Sequence, residues 1–138
     1  MKNKVINNIL IILSSLFIGS LINMGIILLG PHIIPPPNGV DVTTIEGLKA
    51  SMHLFQPKHF LFPFMAHAIG TFAGAFIAAK ISKINKMRNA MIVGLLFLVG
   101  GASDVFLLPS PLWFALSDLI VAYLPMAYFA GKLAIKKS

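Results

Sequence analysis

Four acidic residues, Asp41, Glu46, Asp104 and Asp118, and four histidines, His32, His53, His59 and His67, are the groups in this 138-residue sequence best suited to move protons or hold ions. Asp104, Asp118 and His67 carry the most information, because each lies inside a long apolar run. A charge at the centre of a bilayer span costs about 2.5–3.5 kcal/mol on insertion scales, so such residues are expected to face a polar interior. A carboxylate close to an imidazole can exchange a proton or hold a small cation. His59 and His67 share one helical face through Pro63, but eight positions separate them by about 12 Å of rise, too far for one ion. His67, Asp104 and Asp118 together could offer an imidazole and two carboxylates, yet no local ligand spacing marks a zinc site. The sequence has no cysteine, which excludes disulfides, thiolate metal sites and a cysteine nucleophile. No metal and no cofactor is expected.

The composition fixes what must position these groups. Hydrophobic residues make up 57% of the chain and charged residues 11%, against about a quarter charged in soluble domains. Mean hydropathy is +0.88. Apolar runs at residues 5–29, 60–81, 90–108 and 112–133 each approach the ~20 residues that cross a bilayer core. The first run is too long for a signal-peptide core and is read as an uncleaved span. The expected fold is an all-α integral membrane protein, a four-transmembrane-helix bundle forming a single membrane domain over residues 1–138. Pro125 predicts a kink in the fourth span.

Orientation follows from the basic residues. Lys2, Lys4, Lys80, Lys83, Lys86, Arg88, Lys132, Lys136 and Lys137 fall at the termini or beside the connection between the second and third spans; only Lys49 and Lys58 fall elsewhere. This positive-inside bias predicts both termini in the cytoplasm, N-in and C-in, in the cytoplasmic (inner) membrane of a bacterium. The +7 net charge is therefore read as topology, with the lipid bilayer as partner and no nucleic acid. Residues 30–59 form the long outer connection. Its prolines enforce an extended path, and the capping-box spacing of Thr43-Thr44-Ile45-Glu46 opens a short helix over 44–55. Ile45, Leu48, Met52 and Phe55 make that helix amphipathic, so it is expected to lie flat at the outer interface, with closure over the bundle as a lid the alternative.

Helical rise places Asn23, His67, Asp104 and Asp118 about 6–11 Å below the outer ends of the four spans, one per helix. Ser103 and Thr71 lie nearby. If all face inward they form one polar, outward-opening pocket that binds a ligand or a proton. The plainer reading makes Asn23 and His67 interhelical hydrogen-bonding residues that only pack the bundle. Ala66, Gly70, Gly74 and Ala78 form a small-residue stripe for close helix packing, against a helix of this chain, a second copy or a larger membrane complex.

Gly100-Gly101-Ala102-Ser103-Asp104 and Phe114-Ala115-Leu116-Ser117-Asp118 loosely resemble the two aspartate segments of lipoprotein signal peptidases. That resemblance implies four helices with both termini inside, and a carboxylate pair activating water for peptide hydrolysis. The family's asparagine-rich motifs, the arginine after its helix-3 aspartate and its helix-1 lysine motif have no counterpart here, and the sequence is assigned to no family. Three functions are carried forward. The first is a non-enzymatic membrane protein binding or conducting a small polar solute, ion or proton. The second is an accessory subunit of a membrane complex. The third is an aspartyl-type intramembrane hydrolase.

Overall fold

The computed structural model describes residues 1–138 and is helical throughout, with no strand. The helices are α1 (Lys2–Ile33), α2 (Ile45–Ser51), α3 (Leu61–Ile81), α4 (Lys86–Leu107), α5 (Leu112–Val121) and α6 (Leu124–Lys136), with 3-10 turns at Met52–Leu54 and Pro57–Phe60. Four helical rods, Lys2–Ile33, Pro57–Ile81, Lys86–Leu107 and Leu112–Lys136, are long and apolar enough to cross a membrane. The rods match the four apolar runs of the sequence. α1 overshoots expectation at both ends and runs through Pro31 in its last turn, where the missing N–H removes a single helical bond.

α3 is the central helix and packs against α1, α4 and α6. Small side chains let three of these backbones meet. Ala75, Ala78 and Ala79 of α3, Ala90 and Val93 of α4, and Ala127, Ala130 and Ala134 of α6 are all fully buried in one cluster. α1 lies outside this trio, almost wholly on α3. The small-residue stripe of α3 makes that approach possible. A Cβ at Gly70 would stand 2.8 Å from Asn23 Cβ and 2.9 Å from the Gly19 carbonyl oxygen, and one at Gly74 would stand 3.0 Å from the Ser15 carbonyl oxygen. The stripe thus packs within the chain. The rest of α1 leaves Ile9, Leu13, Phe17, Leu21 and Leu28 at least half exposed.

Long-range hydrogen bonds define the two ends of the bundle. Asn89 Nδ2, at the start of α4, donates to Asn8 Oδ1 of α1 and to Ser82 Oγ just beyond α3, at 2.6 and 2.7 Å. Lys80 Nζ donates to the Lys137 carbonyl at 2.6 Å. The starts of α1 and α4 and the ends of α3 and α6 therefore share one end with most of the basic residues, here the terminal end. The 30–59 connection and the turn at 109–111 form the opposite, loop end. The buried Asn8–Ser82–Asn89 contact was not anticipated from sequence.

Three local details depart from expectation. Residues 112–133 do not form one kinked helix: the rod breaks between α5 and α6, with Pro125 in the first turn of α6. Pro125 has no N–H to continue the ladder, and Tyr123 takes the non-helical φ −115°, ψ −82°. The cap of α2 falls one residue later than the predicted box. Thr44 accepts from Gly47 N–H at 3.0 Å, while Thr43 turns back to Asp41. Finally, the predicted apolar face of α2 is divided: Ile45 is 49% exposed, and Met52, in the following 3-10 turn, is buried with Phe60 and Phe114.

Candidate functional site

The site is built where α3, α4 and α5 converge at the loop end. Asp118 lies in the last turns of α5 and is only 3% exposed. Its carboxylate meets His67 of α3, whose Nδ1 lies 2.8 and 2.9 Å from the two oxygens. A carboxylate can only accept, so Nδ1 carries the proton and donates. That tautomer leaves His67 Nε2 with no partner in the protein. The Tyr123 hydroxyl donates to Asp118 Oδ2 at 3.0 Å, and its ring stacks against His67 with centroids 5.7 Å apart.

Tyr123 reaches Asp118 only because the rod is broken. Five residues on a regular helix subtend about 500°, which puts two side chains about 140° apart around the axis. The turn at Ala122–Tyr123 cancels that offset. Gly101 completes the fit: a Cβ there would collide with the Tyr123 Oη and ring. α4 therefore needs glycine at the point where the phenol crosses it.

Above this floor lies a cavity of about 630 Å³, within the range that holds a drug-sized molecule. Its walls are mostly apolar and include Ile27, Phe60, Phe62, Leu108 and Phe114. Its roof comes from the 30–59 connection, through Val42, Leu48, Met52 and Phe55. Asp104 of α4 lines the same cavity and interacts electrostatically with both His67 and Asp118. No lysine or arginine lines it.

Two polar clamps hold the roof in place. The Asp41 carboxylate accepts from Thr43 N–H at 2.8 Å, Thr43 Oγ1 at 2.6 Å and Thr44 Oγ1 at 3.1 Å. The Thr43 bonds, side chain first, hold the pKa of Asp41 below the ordinary carboxylate value. At the far end of the connection, His59 Nδ1 accepts from Gln56 N–H at 2.8 Å, and its Nε2 lies 3.2 Å from the Pro35 carbonyl. An accepting Nδ1 requires neutral His59 with the proton on Nε2, which donates to Pro35.

His67, Asp104 and Asp118 therefore gather at one cavity, and the other polar residues of matched depth do not. Asn23 lies in the seam between α1 and α3, beside Gly70, and its Oδ1 is buried without a partner. Thr71 is fully buried with its hydroxyl unpaired. Ser103 is exposed and donates to the Val99 carbonyl at 2.9 Å. Sequence reasoning missed Tyr123 and Gly101; the tyrosine beside Pro125 was the available signal. No hydrogen bond joins Asp104 to Asp118, whose oxygens face His67 and Tyr123. No three acidic or histidine side chains are arranged to hold a metal ion. No family model, curated protein or solved structure matches this chain.

Proposed function

We propose that this is a multi-pass membrane protein, with both termini in the cytoplasm, that binds a small molecule in a cavity open to the opposite side. The observation that carries the reading is the hydrogen-bonded His67–Asp118–Tyr123 floor beneath an apolar-walled cavity. Apolar walls with a few converging polar groups are the usual build of a ligand site. A histidine held in one tautomer by a carboxylate, with Nε2 free, can accept a hydrogen bond or a proton from the occupant. Exposed apolar side chains along α1 and basic residues gathered at the terminal end support the membrane placement.

Binding is favoured over conduction because the terminal half is filled by the alanines of α3, α4 and α6. A continuous path would need those helices to separate. Within the small-residue stripe, Gly70 and Gly74 pack on α1 and Ala78 joins the alanine cluster with α4 and α6, so it gives no reason to invoke a partner subunit.

The absence of cysteine makes a direct test available. In right-side-out vesicles, an impermeant maleimide should label Val105→Cys and Ala115→Cys on the cavity wall and leave Ala75→Cys in the alanine core untouched. Ser138→Cys should label only after permeabilisation. In parallel, neutral N-pentyldansylamide should bind saturably, read by energy transfer from Trp113, the sole tryptophan, which packs edge-on against cavity-lining Phe60 at 5.6 Å. Cavity cysteines labelled only from the cytoplasmic side, or an absence of saturable probe binding, would refute the proposal.

A further inference from the structure

The chemical class of the occupant is legible in how the cavity's charges are partnered. Asp118 is saturated by His67 and Tyr123. Asp104 is different: it is an exposed residue whose carboxylate lines the same cavity and has no hydrogen-bond or ion-pair partner. No lysine or arginine lies on the walls to neutralise it. Of the histidines there, His59 is engaged by the Gln56 N–H and the Pro35 carbonyl, His67 lies near Asp104 but bonds Asp118, and His32 forms no ion pair with Asp104. The charge left uncompensated is therefore negative and points to a cation.

The walls narrow the choice further. Phe55, Phe60, Phe62 and Phe114 present aromatic surface around the space Asp104 borders. Aromatic faces attract a desolvated cation and bury an apolar body at the same time. A bare metal ion would gain nothing from them and would lack ligands. A strongly hydrated polyol would leave its hydroxyls unpaired.

Resting on the binding reading above, we propose that the cavity takes an amphipathic amine, with its protonated nitrogen on the Asp104 carboxylate and its apolar body among the phenylalanines. His67 Nε2, free and on the same cavity, accepts a second N–H from the ammonium. The volume of about 630 Å³ suits one drug-sized molecule rather than a two-chain phospholipid, so the occupant is a free amine and not an aminolipid headgroup.

The test compares two probes that differ in the nitrogen. Dansylcadaverine carries a primary ammonium; N-pentyldansylamide is nearly the same shape without it. Full-length protein in phosphatidylcholine nanodiscs is titrated with each, with transfer from Trp113 as readout. The amine should bind about tenfold or more tightly than its neutral analogue, the scale of one charge-assisted hydrogen bond. Asp104→Asn should erase that advantage, and Asp104→Glu should restore part of it. Unchanged helix content and melting in both variants would show that folding is not at issue.

Equal affinity for the two probes, or an amine preference surviving Asp104→Asn, overturns the amine assignment while leaving the binding cavity standing. Failure of both probes to bind overturns the cavity reading as well. Displacement of dansylcadaverine when phosphatidylethanolamine replaces part of the phosphatidylcholine would overturn the assignment to a free amine.

Discussion

If Asp118 is the buried anchor of the site, its coupling to Tyr123 should be measurable as a free energy. Tyr123→Phe removes only the hydroxyl that donates to Asp118 Oδ2 at 3.0 Å. Asp118→Asn keeps the shape but removes the charge, leaving a neutral amide whose single oxygen must accept from both His67 and Tyr123. Both residues are at most 3% exposed, so water cannot replace the lost partner. A hydrogen bond to a charged group contributes about 1.5–3 kcal/mol in soluble proteins, whereas interhelical bonds inside membranes average about 0.6 and reach about 1.7 kcal/mol. With the membrane placement proposed above, the charged acceptor and deep burial put this pair at the top of the membrane range. A double-mutant cycle should therefore give a coupling of about 1.5 kcal/mol. The assay is equilibrium unfolding in mixed micelles with dodecyl sulfate as denaturant, followed by circular dichroism. Tyr128→Phe, at a tyrosine 44% exposed with no hydrogen bond, should change stability by less than about 0.5 kcal/mol. Coupling below about 0.5 kcal/mol would refute the reasoning, since it would mean that the phenol and the carboxylate act independently.

Gly101→Ala should cost about 1–3 kcal/mol in the same assay by overpacking against Tyr123, while Gly100→Ala, where a Cβ meets nothing, should be neutral or slightly stabilising. Gly70→Leu should loosen α1 from α3, read as faster exchange of the α1 amides, because the added side chain meets the Gly19 carbonyl. Acid should release the roof of the cavity. Asp41 has a lowered pKa, so its contribution is complete above the ordinary carboxylate value of 3.8 and is lost as pH falls below it. Pepsin cleavage within residues 30–59 should therefore rise on acidification in the wild type and show little added pH dependence in Asp41→Asn. His59→Leu should free both ends of the connection, seen as faster maleimide labelling of Met52→Cys, a position 7% exposed in the wild type.

The helices were legible because apolar length is a one-dimensional signal, and all four rods coincide with the apolar runs. Depth along each span was legible for the same reason, since rise per residue is fixed. Azimuth was not. Asn23 and Ser103 have the right height but face the α1–α3 seam and the exterior. Ser103 follows from its neighbour: adjacent residues differ by about 100°, so one of Ser103 and Asp104 must turn away from the cavity. The break after α5 was hinted at by Pro125, but a proline predicts a kink without specifying the dihedrals of Tyr123. Only those dihedrals bring a residue five positions distant back onto Asp118. The burial of Met52 just beyond α2 was illegible for a related reason. An amphipathic pattern states that one face is apolar, and membrane interface and protein cavity satisfy it equally well.

The irregular features gather where the charged groups are. The terminal half is regular helix packed by alanine, glycine and valine. The loop half carries Pro31 within α1, the α5–α6 break, the close passage of Tyr123 over Gly101 and a folded connection as roof. Each of these features has a role at the site: the break delivers Tyr123, the glycine admits it, and the roof encloses the space above. If hydrogen bonding served only to hold helices together, a neutral pair such as Asn8 and Asn89, which does so at the terminal end, would suffice without the cost of desolvating a carboxylate. His67 and Tyr123 offset that cost for Asp118. Asp104 is exposed and lines the cavity without a hydrogen-bond partner in the protein. A stabilising role accounts for Asp118; for Asp104, the cationic occupant proposed above would supply the partner that the protein does not.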